Sequence, residues 1–262
     1  MNEDPNISST SMKLEEAQEE ILALRRQLDE LRAQNQAMWT LLAEVSRRLQ
    51  TSSTSIKAAA SSLLEHDIFW DGSNQHEFLE AIDTSVDQGA DLITLMMLAF
   101  RSEANTLELQ LEPHTLQEIL SAVLETVAIE KPEFNVVFDC PPVGTPVLVD
   151  YEYLAIGLRL LLDVLMESGM VSSQLTLRLV ELEGSWLLDI LDTQESVTEA
   201  LNHLCQNRFD ELMLVDHISP ENVLKFFTAS RIIQLQNIEL DVQMGEQGET
   251  SLRLTIPTVS KA

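Results

Sequence analysis

The sequence predicts an α+β protein in which a coiled coil runs into an antiparallel helical hairpin and an α/β sandwich follows. Hydrophobic residues recur three or four positions apart from Leu14 to Leu49, which is the spacing of a coiled-coil seam. A second stretch with helical spacing follows the turn-rich segment 67–75, and from residue 105 onwards short alternating segments are interleaved with helical ones. At 262 residues the chain has room for one or two globular units and an appendage.

The N-terminal part is predicted to pair two chains. Residues 1–12 are polar and acidic, so we expect a disordered tail there, and a coiled coil is predicted over residues 13–36. Asn35 falls at an a position, where a buried amide favours a parallel pair in one register. A single long helix packed on its own domain is the alternative, but five consecutive heptads favour the dimer. The predicted dimer seam consists of Ile21, Leu24, Leu28, Leu31, Asn35, Met38, Leu42 and Val45.

Residues 37–104 are predicted to form a helical-hairpin dimerisation domain. The first helix continues to about His66, the turn lies in segment 67–75, and a second amphipathic helix runs from His76 to Glu103. Two such hairpins side by side make a four-helix bundle, so we expect this region to dimerise.

Residues 105–262 are predicted to form an α/β sandwich with helices on one face of a mixed sheet. Alternation in LELQLEP, Leu107 to Pro113, predicts a strand, and the sequences FNVVFDCPP and PVLVD predict two more. Two hairpins are expected, with turns at Glu183–Gly184 and between Gly245 and Gly248. Helices are predicted over His114–Glu130, Tyr151–Ser168 and Glu221–Gln236.

Composition excludes several classes of partner. Sixteen basic residues against 43 acidic ones give a net charge of −27, which argues against binding to nucleic acid or to an anionic membrane surface. Cys140 and Cys205 are far apart and belong to no CxxC motif, so neither a disulfide nor a zinc site is expected. The sequence contains no signal peptide and no apolar run of about 20 residues, so a cytoplasmic protein is predicted.

Four segments resemble a known family in order and spacing. EVSRRLQTSSTSI corresponds to a phosphoacceptor helix, and DLITLMMLAFRSEANTLELQLEPHTLQEIL to the end of the second helix and its link to a catalytic domain. VLVDYEYLAIGLRLLLDVLMESG corresponds to a strand, an Asp and a helix, and SRIIQLQNIELDVQMGEQGETSLRLTIP to the closing helix and hairpin. Residues from about 37 to 258 therefore resemble the dimerisation and ATPase-like catalytic domains of two-component sensor histidine kinases.

The resemblance places Arg47 where the family carries its phosphoacceptor histidine, and Arg48 where it carries an acidic neighbour. An arginine side chain is always charged and offers no lone pair, so it cannot accept a phosphoryl group. No histidine precedes His66 in the sequence, so a shift of one residue does not restore the site.

The nucleotide site is similarly altered. The two family asparagines, of which the second holds magnesium, correspond to Arg159 and Asp163. The first glycine box begins at Asp192 but lacks both glycines, and no glycine occurs between Ser185 and Met244 to cradle phosphates. Asp163 and Asp192 are therefore interpreted as vestigial, an ordinary solvent-facing charge and a cap being the alternatives, and no cofactor is expected.

These substitutions identify the chain as a degenerate, pseudokinase-like member that acts in two-component signal transduction through protein contacts. The expected partners are a second copy in a parallel homodimer, a histidine kinase in a heterodimer, or a response-regulator receiver domain whose acidic pocket meets Arg47 and Arg48. The alternatives are a divergent histidine kinase that retains ATP binding, or a histidine phosphotransferase that uses His66 or His76.

Overall fold

The computed structural model describes residues 45–63, 72–141, 144–167, 171–193, 218–244 and 250–258, together with scattered positions between Ile21 and Ala43. The chain divides into two units, residues 1–40 and residues 41–262. The predicted tail, the seam positions Leu31, Asn35 and Met38, the turn between Gly245 and Gly248, and His66 lie outside the described residues.

In the first unit, the seam positions Ile21, Leu24 and Leu28 are helical, and roughly half of each residue is exposed. Helical structure with the apolar positions accessible is what a coiled-coil strand requires before it pairs. Pairing itself stays a prediction.

The second unit consists of a helical hairpin followed by an α/β part. Helix α1 covers residues 45–63. The elements that follow are α2 (Gly72–Glu103), β1 (Glu112–His114), α3 (Leu116–Glu130), β2 (Asn135–Asp139), β3 (Val147–Val149), α4 (Tyr151–Glu167), β4 (Val171–Leu182), β5 (Ser185–Thr193), α5 (Pro220–Gln234), β6 (Glu239–Met244) and β7 (Thr250–Pro257).

Helices α1 and α2 run antiparallel. Val45 at the start of α1 belongs to a buried cluster with Leu95 near the end of α2, whereas the Ser52 hydroxyl donates to the carbonyl oxygen of Ser85 at 2.5 Å. Gly89 of α2 also lies beside Ser52.

The structure corrects the assignment of Val45 to the dimer seam. Heptad spacing places it in the seam between two chains, but its exposed fraction is 0% and its neighbours belong to its own chain. A side chain that is fully buried in this way has no surface left for a second chain. Leu42, the preceding seam position, is half-buried.

The α/β part confirms the predicted α+β class and mixed sheet. Five strands are arranged in the order β2-β4-β5-β7-β6, in which only β2 and β4 pair in parallel. Apolar residues on one sheet face pack with helices α3, α4 and α5 to form the main core. Fully buried members of this core include Ile119, Leu120, Leu154, Leu161, Leu175, Leu188, Ile190, Ile232, Leu254 and Ile256.

The opposite sheet face carries a row of alternating charges that crosses all five strands. The Arg253 guanidinium donates to both carboxylate oxygens of Asp189, at 2.6 and 3.0 Å. Cross-strand pairs of opposite charge favour one register over its neighbours. In spatial order the row reads Asp139, Arg178, Asp189, Arg253 and Asp241.

The predicted hairpin turn at Glu183–Gly184 is present, and Gly184 adopts a φ of +89° that side chains disfavour. Of the strand predicted over Leu107–Pro113, only the end forms, since Glu112–His114 pairs antiparallel with β3. The backbone N–H of Gln110 donates to the Asp150 carboxylate at 2.7 Å instead of to a neighbouring strand.

Candidate functional site

Helix α4 is the element that positions the candidate site. Asp150 caps it: one carboxylate oxygen accepts from the N–H of Tyr153 at 3.0 Å, and the Asp150 N–H donates to the Gln236 side chain at 2.8 Å. Asp150 is therefore a structural residue. The cap fixes the start of α4, so that Arg159, Asp163 and Glu167, four residues apart, share one face.

Lys131, which follows the last residue of α3, lies against the two carboxylates of this face. Its Nζ is 3.2 Å from Oδ1 of Asp163 and 2.9 Å from Oε1 of Glu167. The Lys131 and Asp163 side chains are only 16% and 11% exposed. Asp163 is thus a paired, largely buried carboxylate, whereas the sequence left open a solvent-facing charge.

Helix α5 extends the contacts towards the helical hairpin. Nζ of Lys225 is 2.7 Å from Oε2 of Glu167 and 3.3 Å from Oε1 of Glu221. Nη1 of Arg48, on α1, donates to Oε2 of Glu221 at 2.7 Å. A continuous series of opposite charges therefore connects α1 with α5, α4 and the end of α3.

We call this series the ionic chain, and Arg159 and Glu130 form a looser branch at its far end. Arg159 is 4.0 Å from Asp163 and 3.7 Å from Glu130. With the branch, four cations face four carboxylates, so a quarter of the 16 basic residues of a strongly acidic protein gather here. The ionic chain runs Arg48, Glu221, Lys225, Glu167, Lys131 and Asp163.

Pairing controls the ionisation of these groups. Burial is the largest influence on the pKa of Glu167 and acts to raise it, but hydrogen bonds and charges from Lys225 and Lys131 together bring that pKa below its ordinary value of 4.5. Burial also acts to lower the pKa of each lysine, yet the neighbouring carboxylates hold both pKa values above 10.5. All three groups are therefore charged at neutral pH.

A cleft of about 550 Å³ opens beside the ionic chain. Leu92 and Leu95 of α2 line one side, and Val123 of α3 and Ile156 of α4 line the other. The charged groups form one end of this cleft. Because each cation there already has a carboxylate partner, the cleft offers no excess positive charge for an anionic ligand.

The structure brings together some of the residues singled out in the sequence and separates others. Arg47 is exposed on α1, whereas Arg48 is half-buried and paired with Glu221. Asp192 lies in strand β5, but its side chain is outside the described part of the molecule. His76 is exposed on α2, far along the helix from Leu92.

Sequence reasoning did not find Lys131 or Glu167. A signal was available: Asp163 and Glu167 are like charges four residues apart on one helix, and such a pair needs cations nearby. Glu221 and Lys225 offered a second signal, because they carry opposite charges at helical spacing. The position of Lys131 in the sequence, by contrast, did not indicate which carboxylates it contacts.

These residues do not fit a magnesium ion at Asp163. The Lys131 ammonium already occupies the space beside Oδ1, and a divalent cation added there would meet its charge at close range. Among the residues that the structure describes, no group of three His, Cys, Asp or Glu side chains could hold a metal. In the same part of the chain, no helix has the length and apolar character to cross a membrane.

No protein-family model matches the chain, and no curated protein matches it. Its structure is similar to that of the Acinetobacter baumannii histidine kinase AdeS, with a TM-score of 0.55, 15% identity, and coverage of 80% of this chain and 96% of AdeS. It is also similar to full-length ShkA, solved in complex with AMPPNP, with a TM-score of 0.52 and 14% identity. That match covers 84% of this chain and 46% of ShkA, so the chain spans about half the length of ShkA. The chain therefore has the fold of sensor histidine kinases, as its sequence resemblance predicted.

The ionic chain predicts how stability depends on pH. A carboxylate whose pKa is lowered by folding stabilises the protein above its unfolded pKa, and that contribution is lost as the pH falls through the folded value. We expect the free energy of unfolding to decrease as the pH falls below 4.5, and the Glu167→Gln variant to show less of this decrease. Denaturant titrations over a pH series measure the effect.

The matched control is Glu183→Gln, at an exposed turn position, which should keep the pH dependence of the parent protein. Parallel curves for Glu167→Gln and the parent protein below pH 4.5 would show that Glu167 is not held by its lysines.

Proposed function

We propose that this protein is a catalytically inactive histidine-kinase-like protein that acts in two-component signal transduction through protein contacts. The observation that carries the proposal is the pairing of Asp163 with Lys131, at the position where the family resemblance implies a magnesium ligand. A self-contained set of ion pairs at that position leaves neither metal nor triphosphate a complementary site.

The phosphoacceptor position supports the same conclusion. Arg47 lies on the exposed surface of α1, where a phosphoryl group would have to be accepted. A guanidinium is not a nucleophile at any physiological pH. Its neighbour Arg48 donates to Glu221 and likewise cannot act as a base.

The helical hairpin carries a surface suited to a second copy of the chain. Leu79, Val86, Ile93 and Phe100 recur every seven residues along α2, and each is between 48% and 54% exposed. An apolar stripe of this length on a charged protein is typical of a helix that packs in a bundle. Together with the heptads of the first unit, it favours a parallel homodimer, and a histidine kinase with a similar hairpin is the alternative partner.

A response-regulator receiver domain is the second partner that we propose. Arg47 and Arg48 would meet acidic groups of that domain through charge-assisted hydrogen bonds. Arg47 is the more accessible of the two, because its side chain is exposed whereas that of Arg48 is half-buried. In such an interface we therefore assign the larger share of the contact to Arg47.

A histidine phosphotransferase is a competing function that one observation favours. His76 is exposed on α2, so a phosphorylated receiver could reach its imidazole. Mixing the protein with a phosphorylated receiver and testing for acid-labile, alkali-stable phosphate distinguishes this function from the one proposed.

The nucleotide site gives the first prediction of the proposed function. Calorimetric titration with Mg-ATP should give no saturable binding, and incubation with labelled ATP should leave the chain unlabelled, because each described cation that lines the cleft is paired with a carboxylate. AdeS, treated in parallel, serves as the positive control. Saturable Mg-ATP binding or any phosphorylated side chain would support the divergent kinase instead.

The dimer surface gives the second prediction. Ile93→Glu should raise the dissociation constant of the dimer by about tenfold or more, since a buried unpaired charge costs at least about 1.4 kcal/mol. Sedimentation equilibrium measures the change. Gln88→Glu adds the same charge at an exposed position outside the stripe and should leave the dimer intact. A monomeric parent protein, or equal dissociation constants for both variants, would refute this surface.

The docking surface gives the third prediction. Arg47→Ala should weaken binding to a receiver domain by about tenfold, the worth of one charge-assisted hydrogen bond, and Arg48→Ala by less. Titration with fluorescently labelled receiver domains measures both. Lys57→Ala, at an exposed position further along α1, is the control and should bind as the parent protein does. Unchanged affinity in both arginine variants would eliminate this docking mode.

A further inference from the structure

We propose that the ionic chain is a latch that holds the α/β part of the molecule on its helical hairpin and opens reversibly between Arg48 and Glu221. Among the six residues of the ionic chain, Arg48 alone belongs to α1. The other five belong to α5, α4 and the end of α3. Breaking this single link therefore separates the hairpin from the charged network.

The apolar contacts across the same boundary are small. Val45 of α1 and Leu92, Leu95 and Ala99 of α2 bury Leu224 of α5 in a common cluster, and the partly buried Leu160 of α4 packs against it. Leu224 lies between Glu221 and Lys225 on α5, so the apolar contact and the ionic chain meet on one helical turn. A contact built on two leucines of the α/β part needs additional interactions to fix its orientation.

A second polar contact holds the opposite end of α5. Arg231, in its last turn, donates through Nη2 to Oδ1 of Asn105 at 2.9 Å, and its Nε lies 3.8 Å from the Glu103 carboxylate. Glu103 and Asn105 are at the end of α2. Helix α5 is thus attached to the hairpin at both ends, to α1 through Glu221 and to the end of α2 through Arg231.

Burial along the ionic chain identifies where it opens. The Arg48 and Glu221 side chains are 35% and 27% exposed, whereas the two lysines and Asp163 are 11–16% exposed. Glu167 is 38% exposed, but both of its partners are these buried lysines. If Arg48 leaves, Glu221 keeps Lys225 at 3.3 Å, and the released guanidinium enters solvent. Breaking a deeper link would leave a buried charge without its partner, which is far more costly. The outer link is therefore the reversible one.

Hydrogen exchange of the full-length protein, followed by mass spectrometry, tests this latch. Arg48→Gln and Glu221→Gln should each accelerate exchange about fivefold in peptides from the Leu92–Ala99 segment of α2 and from the start of α5, the effect of losing one partly exposed ion pair. Peptides from β4 and β5 should keep their protection, because the sheet core does not depend on this contact. Lys57→Gln, an exposed position on α1, is the matched control and should exchange as the parent protein does.

A double variant, Arg48→Gln with Glu221→Gln, tests whether the two side chains act on each other or protect the peptides independently. If Arg48 acts through Glu221, the double variant should exchange no faster than Glu221→Gln alone, which also loses the Lys225 contact. Added salt should accelerate exchange of these peptides in the parent protein, but not in Arg48→Gln. The latch is refuted by unchanged exchange in Arg48→Gln, by multiplicative effects in the double variant, or by an equal increase in β4 and β5, which would indicate global destabilisation.

Discussion

The position of the Lys131 ammonium between Asp163 and Glu167 is the interaction on which the rest of the site depends. Two carboxylates one turn apart on one helix face would repel each other. A lysine within 3.2 Å of both offsets that repulsion. Because Glu167 also accepts from Lys225, the compensation extends to α5 and from there to Arg48 on α1. Local charge neutralisation in α4 thereby determines how the α/β part meets the hairpin.

The same arrangement supports our proposal that this kinase-like fold does not transfer phosphoryl groups. Such chemistry needs cations that remain available to phosphate oxygens and a metal that bridges them. Here the cations face carboxylates of the protein itself, and the charges balance within the site. In the proposed receiver complex, an acidic surface of the receiver would compete with Glu221 for the Arg48 guanidinium. Partner binding at α1 would then be coupled to the attachment of the α/β part.

Much of the fold could be predicted from the sequence, because the relevant signals are local. The turn at Glu183–Gly184 needs only a glycine between two alternating stretches, and α4 follows from its apolar spacing and the capping Asp150. Val45 was misassigned because a heptad indicates that a helix face is apolar but does not say which surface covers it. The site was harder still: Arg48 and Glu221 are 173 positions apart, and no local pattern relates them. Asp163 was singled out through family resemblance, but its partner Lys131 could be identified only from the folded chain.

Lys131 is the cation that neutralises Asp163. The most direct test of this pairing is a crystal structure of the protein grown with excess magnesium and a non-hydrolysable ATP analogue. We expect the Lys131 Nζ to remain within hydrogen-bond distance of Asp163 and Glu167, with no metal at either carboxylate. A magnesium ion bound to Asp163, with Lys131 displaced towards the nucleotide phosphates, would contradict the account.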